Sequence, residues 1–228
     1  MSRKLDPRLQ MIASSVPRSS CVADIGTDHA YLPVYLITHD ICQRAYATDI
    51  SPASCRKAAA NIAKAGLCEK ITVICGNGLS GFSPGTADCI VIAGMGGRNM
   101  ISILAGAAWL RGRDPACRLV LSPNTNAAEL REWLCLHGFS LLSERAAIGD
   151  QNRVYTVMSA AYTGKINRDR GFYHTGLLPQ AADEAARLCL RREHRRLINQ
   201  AKRFSHRKET AAYEETLRLA ETVGRVMK

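Results

Sequence analysis

The chain contains 228 residues with a formal net charge of +11 at pH 7, and 46% of the residues are hydrophobic. This length suits one ordinary domain with a smaller appendage. No apolar stretch is long enough to cross a membrane and the polar N-terminus has no apolar signal core, so we expect neither a membrane protein nor a secreted one. Nine cysteines without a Cys-x-x-Cys pair favour a reduced, cytoplasmic protein without a bound metal.

The positive charge is concentrated toward the C-terminus. Residues 165–228 contain 15 Lys and Arg against 8 Asp and Glu, a net charge of +7, whereas residues 1–164 carry a net charge of +4. Such a short basic segment indicates a polyanionic partner, and nucleic acid is the expected one; a merely basic surface is the alternative. We therefore predict two units, a domain over 1–164 and a basic helical unit over 165–228.

The first unit begins with a predicted helix over 5–16, which ends at Pro17 and packs at the edge of the ligand site. Apolar runs that end in turns then alternate with helical patterns. The predicted strands cover residues 21–25, 44–50, 71–75, 88–93 and 118–121. One predicted helix begins after Asp28, and a second extends from Ser51-Pro52 to Ala65. A third runs through Ile103, and a fourth covers 127–137.

Two further runs, 139–145 and 154–158, alternate too quickly for a helix and predict a β-hairpin. Five βα units closed by a hairpin predict a doubly wound α/β sheet with an antiparallel edge strand. Ligands of such sheets bind at the carboxyl ends of the strands. The predicted strands bring four residues to that edge, namely Asp24, Asp49, Asn77 and Gly94.

The basic unit contains two helical patterns that meet near Ser205-His206, which predicts an antiparallel pair of coiled-coil type. Because His194 and Gly224 occupy seam positions, we expect a modest interface. The other predicted seam residues are Leu190, Leu197, Ala201 and Phe204 in the first helix and Tyr213, Leu217, Ala220 and Met227 in the second.

The run Val22 to Pro33 (VADIGTDHAYLP) is the most informative segment. A strand that ends in Asp24-x-Gly26 brings main-chain amides close to a ligand, because glycine lets the backbone approach. The second and third glycines of a nicotinamide-binding turn, which make room for a pyrophosphate, are absent. Asp28 stands where that phosphate would lie, and its charge suits a cation. S-adenosylmethionine (SAM) carries a sulfonium and no phosphate, so the sequence predicts a methyl-donor pocket.

The ends of the next strands supply the remaining cofactor contacts. Asp49 is predicted to accept hydrogen bonds from both ribose hydroxyls, with a plain helix-capping acid as the alternative. Asn77 can present its amide oxygen to the adenine amino group, and Gly26 and Gly94 let the backbone approach the methionyl part. The complete predicted set is Asp24, Gly26, Tyr31, Asp49, Ile50, Gly76, Asn77, Gly78, Ala93 and Gly94.

Three residues are candidates for catalysis. Asp28 could pair with the ammonium or sulfonium and stabilise a cationic product. His29 could move a proton, although a structural hydrogen-bonding role is the alternative. Asn124 is aimed at the same sheet edge and could contact the target, with a helix N-cap shared with Asn126 as the alternative. The carbonyls of residues 93–94 could receive an exocyclic amine.

A cluster of arginines falls on adjoining faces of the first basic helix. Their density exceeds what ordinary solvation requires, and we expect them to hold a nucleic-acid backbone. These residues are Arg187, Arg191, Arg192, Arg195 and Arg196.

Four motifs together resemble TrmK, the bacterial tRNA (adenine-22-N1)-methyltransferase family. They are Asp24 to Pro33 (DIGTDHAYLP), Ile92 to Gly97 (IAGMGG), Pro123-Asn124 and Arg131 to Leu134 (REWL). The resemblance covers residues 5–158 and continues more loosely through the basic unit. It implies a Rossmann-like class I SAM-dependent methyltransferase fold, N1 of a D-arm adenine in tRNA as the acceptor, and a C-terminal helical hairpin that helps bind tRNA.

Two positions depart from that family pattern. Asn77 stands where the family pattern has Asp, which keeps an acceptor oxygen beside the adenine. Ser122 stands where Gln is usual, which weakens the basis for a base contact at Asn124. We expect a monomer that binds SAM and tRNA.

Because adenine N1 has an exposed lone pair, the expected task of the enzyme is to align the reactants. The alternatives are methylation of another RNA or another adenine position, and a non-catalytic RNA-binding module that retains SAM. A nicotinamide oxidoreductase is disfavoured by the missing glycines.

Overall fold

A seven-stranded sheet forms the centre of the described structure, a computed structural model that covers residues 5–112, 116–149, 153–181 and 183–227. Its strands are β1 (Ser19–Ile25), β2 (Cys42–Asp49), β3 (Ile71–Cys75), β4 (Cys89–Ala93), β5 (Arg118–Ser122), β6 (Phe139–Ile148) and β7 (Val154–Tyr162). Their spatial order is β3-β2-β1-β4-β5-β7-β6, and the first five are parallel. The predicted doubly wound sheet is confirmed.

The position of the antiparallel strand differs from the prediction. β7 pairs antiparallel with both β5 and β6, so it is the penultimate strand and β6 forms the edge. The burial pattern gives the reason, because six consecutive residues of β7, 156–161, are buried, whereas in β6 only Phe139 and Glu144 are buried. A strand covered on both faces belongs inside the sheet. Both strands also extend beyond the predicted hairpin.

The prediction of five βα units is wrong at β3. Residues 76–88 connect β3 to β4 through turns instead of a helix. Four glycines and a proline in this segment disfavour a helix. Leu79 and Phe82 are nevertheless buried, and they close one end of the core.

The helices begin and end within a few residues of the predicted bounds. The helix after Ser51 starts at its predicted signal, where the Ser51 hydroxyl accepts from Ser54 N (3.4 Å). The first helix has a cap that was not predicted, since the Asp6 carboxylate accepts from Leu9 N (2.8 Å). The helices are α1 (Pro7–Ser15), α2 (Tyr31–Thr38), α3 (Pro52–Lys64), α4 (Gly97–Ala105), α5 (Ala127–Leu136), α6 (Arg170–Thr175), α7 (Leu178–Ala181), α8 (Glu184–His206) and α9 (Thr210–Arg225).

The core lies in two layers, one on each face of the sheet. α1, α2 and α3 cover the face that includes Val22, while α4 and α5 cover the face that includes Ala23 and Ile25. Successive residues of β1 therefore point to opposite layers, as strand geometry requires. This arrangement leaves the carboxyl ends of β1, β2 and β4 at one edge.

The two long C-terminal helices form the predicted antiparallel pair. Leu190 and Leu197 of α8 pack with Ala220 and Val223 of α9. The predicted seam of the second helix is partly wrong, because the buried residues of α9 are Thr216, Ala220 and Val223, whereas Tyr213 and Leu217 are half-buried. Met227, just beyond α9, packs against this cluster as predicted. A Cβ built on Gly224 would lie 3.5 Å from His194 Nε2, so these two seam residues do face each other.

A buried ion pair joins the helical unit to the sheet. Arg131 of α5 donates to Glu144 of β6 (Nη2 to Oε1, 2.7 Å) and also to the carbonyl of Tyr173 in α6 (3.0 Å). Glu144 in turn accepts from the backbone N–H of Leu177 (3.0 Å). The segment between the sheet and α8 is thus held against the sheet; the division at residue 164 stays a prediction.

Candidate active site

The bend after β1 organises the site. Its geometry requires glycine at position 26, where φ is +78° and a built Cβ would lie 3.0 Å from Met95 Cε. The backbone N–H groups of Gly26 and Thr27 both donate to the carbonyl of Thr48 (2.8 Å each). These bonds join the end of β1 to the end of β2.

Asp24 is a buried carboxylate beside this bend. Burial raises its pKa to about 6, a hydrogen bond from the Thr27 hydroxyl (2.7 Å) opposes that rise, and the nearby Asp49 adds to it. A buried carboxylate with a raised pKa gains stabilisation from a cationic neighbour. This is the electrostatic setting that the predicted ammonium or sulfonium ligand would find.

Asp49 ends β2 and points its two carboxylate oxygens at backbone donors. Oδ1 accepts from Ser51 N (2.9 Å) and Oδ2 accepts from Asp28 N (3.2 Å). Neither donor lies within α3, so these are turn contacts, and each oxygen keeps a further lone pair for a ligand hydroxyl. Ile50 follows with 69% of its surface exposed, which offers an apolar face beside Asp49.

Asp28 and His29 lie on the same side of the bend as Asp49. The Asp28 carboxylate accepts from the Ser54 hydroxyl (3.3 Å) and lies 3.4 Å from His29 Nε2. The His29 ring stacks on Tyr31 with ring centroids 5.1 Å apart. These contacts orient the ring, and both the catalytic and the structural role of His29 stay predictions.

The end of β3 reaches the same edge. Gly76 N donates to the carbonyl of Asp49 (3.0 Å), which places Asn77 and Gly78 next to the end of β2. Asn77 is exposed. The predicted adenine-binding residues are therefore adjacent to the predicted ribose acceptor.

Asn124 contacts the end of β4 instead of capping a helix. Its Nδ2 donates to the Gly94 carbonyl (2.7 Å), and its backbone N–H donates to the Met95 carbonyl (2.9 Å). The shared N-cap is wrong, because Asn126 occupies the N-cap position of α5 without a side-chain capping bond. The geometry brings Asn124 and the Gly94 carbonyl together, and the role of the Ala93 carbonyl stays a prediction.

Arg8 is a site residue that the sequence reasoning missed. Its guanidinium donates to Asn124 Oδ1 (3.3 Å) and lies over the Tyr155 ring, 5.4 Å from the centroid. A Cβ built on Gly94 would lie 3.5 Å from both Nη atoms. The one available signal was the prediction that the leading helix packs at the edge of the ligand site.

The five predicted RNA-binding arginines are all exposed on α8, but they differ in setting. Arg196 is paired with Glu193 (Nη2 to Oε1, 2.7 Å), which also accepts from His174 (2.6 Å). Burial alone would raise the pKa of Glu193, and the hydrogen bonds from Arg196 and His174 lower it to about 2. Arg192 lines a cavity with Gly94. Arg192 and Arg196 also line a second cavity, together with Asn124.

The described residues contain neither a metal-binding cluster nor a membrane-spanning helix. Among the described residues, no group of three or more His, Cys, Asp or Glu side chains is placed to hold a metal ion. Within the same ranges, no helix combines the length and apolarity needed to span a membrane.

Comparison with known proteins places this geometry among methyltransferases. Residues 5–158 match a family described as a methyltransferase domain. A tRNA (adenine(22)-N(1))-methyltransferase of Bacillus subtilis (strain 168) is 39% identical over 158 residues, which are 69% of this chain and 65% of that relative. The match therefore spans slightly less than two thirds of the curated relative.

Solved structures extend the similarity to the whole chain. The crystal structure of the B. subtilis M1A22 tRNA methyltransferase TrmK has a TM-score of 0.85 at 28% identity, over 99% of both chains. Streptococcus pneumoniae Sp1610, a candidate tRNA (m1A22) methyltransferase solved with SAM, has a TM-score of 0.81 at 26% identity, over 99% of this chain and 100% of that one.

The sheet order, the glycine bend and the acidic residues beside it define a Rossmann-like methyltransferase of class I. The predicted fold class is thus confirmed. The chain belongs to the methyltransferase-domain family, and its resemblance to TrmK is confirmed by these relatives.

Proposed function

We propose that this chain transfers the methyl group of SAM to N1 of an adenine in tRNA, at position 22 in the D-arm. The observation that carries the proposal is the edge where Asp24, Gly26 and Asp49 surround one bend, beside a cavity rimmed by arginines. The names of the B. subtilis relatives support the substrate, and the SAM-bound S. pneumoniae structure supports the cofactor.

The residues at the bend suit SAM. Buried Asp24 favours a cationic group, and the Asp49 oxygens have lone pairs left for ribose hydroxyls. Ile50 offers an apolar face for the adenine. When bound, SAM supplies an electrophilic methyl group.

Alignment is the main task left to the protein. Adenine N1 is nucleophilic without prior deprotonation, and a well-held geometry can lower the barrier by roughly 7–11 kcal/mol. The Gly94 carbonyl accepts from Asn124 Nδ2, and Asn124 Oδ1 accepts from Arg8. Each oxygen keeps a lone pair that can receive the exocyclic amine of the base. Asp28 lies beside Asp49, so of its two predicted uses the cofactor contact is the better supported.

The direct test is to incubate the protein with methyl-labelled SAM and bulk tRNA, then to locate the label. We expect N1-methyladenosine at position 22. Label at another adenine or in another RNA would redirect the substrate assignment, and SAM binding without label transfer would favour the non-catalytic module. That the protein is cytoplasmic and monomeric also stays a proposal, and gel filtration of the SAM-bound protein tests the latter.

A further inference from the structure

A cavity of about 560 Å³ opens next to Gly94 and Asn124. Its volume lies within the range of roughly 300–1,000 Å³ that is usual for ligand pockets. Because Gly94 follows β4 and β4 pairs with β1, the cavity begins where the proposed cofactor site ends. Besides Gly94 and Asn124, the cavity is lined by residues 6–8 at the start of α1, by residues 149 and 153–155, and by Arg192 of α8.

One wall of the cavity is flat and fixed. The Arg8 guanidinium lies over the Tyr155 ring and donates to Asn124, whose amide in turn donates to Gly94. Gly149 packs against the edge of the Tyr155 ring, with a built Cβ only 2.6 Å from Cε2. Guanidinium planes and tyrosine rings are surfaces on which unstacked nucleobases pack.

The rim of the cavity is positively charged. Arg153 and Arg192 line it together with Arg8, and among the described residues that line it Asp6 is the single carboxylate. That carboxylate already accepts from Leu9 N, as the cap of α1. Arg153 is exposed and is positioned by its carbonyl, which accepts from Gly149 N (2.7 Å) and closes the hairpin. Guanidinium groups at such a rim suit a phosphodiester.

We propose that this cavity is the subsite for the target nucleotide. The adenine leaves the RNA stack and packs against the Arg8–Tyr155 pair with its reactive edge toward Gly94, and its flanking phosphates meet Arg153 and Arg192. The inference rests on the proposed function, which it deepens by assigning the substrate side of the site. It also gives the helical unit a direct part in the site, because Arg192 belongs to α8.

A double-mutant cycle between the base and the ring tests this contact. The affinity of full-length protein is measured for a tRNA transcript with adenosine or an abasic nucleotide at position 22, using wild-type protein and the variants Tyr155→Leu and Tyr155→Phe. We expect Tyr155→Leu to weaken binding of the transcript with adenosine at position 22 by about 10- to 100-fold, as for a lost base–aromatic stack. The affinity for the abasic transcript should change little when Tyr155→Leu is introduced. The Tyr155→Phe variant should bind both transcripts as the wild-type protein does.

The phosphate contact is tested with a matched pair of charge removals. Arg153→Gln should weaken tRNA binding and reduce the salt slope by about 0.7–0.9, as for one lost phosphate contact. Arg56→Gln removes the same charge from an exposed position on α3, and it should leave both quantities unchanged. SAM affinity should be unchanged in both variants.

The outcomes separate the two proposals. The subsite would be overturned if the affinity losses in the cycle were additive, or if Arg153→Gln and Arg56→Gln had the same tRNA affinity and salt slope. Label transfer to tRNA would still uphold the function in that case. A wild-type protein that neither binds nor methylates tRNA would overturn both. Loss of SAM affinity in Arg153→Gln would reassign that side of the cavity to the cofactor.

Discussion

At the scale of single residues, Asp24 determines how the empty site responds to pH. The pKa of Asp24 is raised from 3.8 to about 6, chiefly by burial and also by the nearby Asp49, while the hydrogen bond from Thr27 and the charge of Arg8 oppose the rise. An acid whose pKa is higher in the folded state stabilises the fold at low pH. That contribution is lost as the pH rises from about 4 through about 6.

Asp24→Asn should therefore stabilise the ligand-free protein at neutral pH and leave it unchanged near pH 4. Because the substitution removes the cost of ionising a buried acid, we expect a gain of about 3 kcal/mol at neutral pH. Urea unfolding of wild type and variant at the two pH values measures it. An equal difference at both pH values would show that the ionisation of Asp24 does not set this cost.

Asp49 should carry much of the affinity for SAM. Asp49→Asn removes the charge that strengthens hydrogen bonds to ribose hydroxyls, so calorimetry should show SAM binding that is about 10- to 100-fold weaker.

The matched control is Asp40→Asn in the turn before β2. Asp40 is exposed with a φ of +54°, a conformation that asparagine tolerates. The Asp40→Asn variant should bind SAM as the wild-type protein does. Equal affinities of the Asp49 and Asp40 variants would contradict the ribose role.

At the scale of secondary-structure elements, the Arg131–Glu144 pair fixes the segment before α8 against the sheet. Arg131 has 4% of its side chain exposed and Glu144 has none. Gly176 completes the contact, because φ is +55° there and a built Cβ would overlap the Glu144 carboxylate and lie 2.6 Å from Arg131 Nε.

Glu144→Gln should destabilise the protein by about 3–5 kcal/mol, since it leaves Arg131 buried without a counter-charge. The exposed Arg98–Glu129 pair provides the comparison, because Glu129→Gln acts in solvent and should change stability little. Chemical unfolding of both variants measures the difference. A small and equal effect would mean that the buried pair does not hold the segment.

The elements themselves were largely predictable, and their exceptions have local causes. Periodicity and start signals such as Ser51-Pro52 placed the helices, and Asp24, Gly26 and Asp49 followed from the ends of strands. The position of β7 was not predictable, because it depends on which strand of a hairpin pairs with β5. The contacts of Arg8 with Asn124 and Tyr155 join residues far apart in sequence, and no single segment encodes them.

At the scale of the whole molecule, the unequal distribution of charge predicts how tRNA binding depends on salt. Arg187, Arg191 and Arg195 are exposed and lie four residues apart on α8. The affinity for tRNA should fall as salt rises, with a slope of about 0.7–0.9 per phosphate contact. Replacing all three by Gln should reduce that slope and leave SAM affinity unchanged. An unchanged slope would remove this face of α8 from the interface.

Substitution is a better test of the helical unit than deletion. Removing residues 165–228 would also remove the carbonyl of Tyr173 and the N–H of Leu177, which bond to Arg131 and Glu144. Loss of binding in such a fragment would mix an RNA effect with damage to the sheet.

The central claim is that the bend at Gly26 is built for a sulfonium nucleoside without phosphates. Calorimetry of the purified protein with SAM, S-adenosylhomocysteine and NAD at neutral pH tests it most directly. We predict that SAM and S-adenosylhomocysteine bind and that NAD does not. Uptake of NAD by a protein that ignores both SAM and S-adenosylhomocysteine would contradict it.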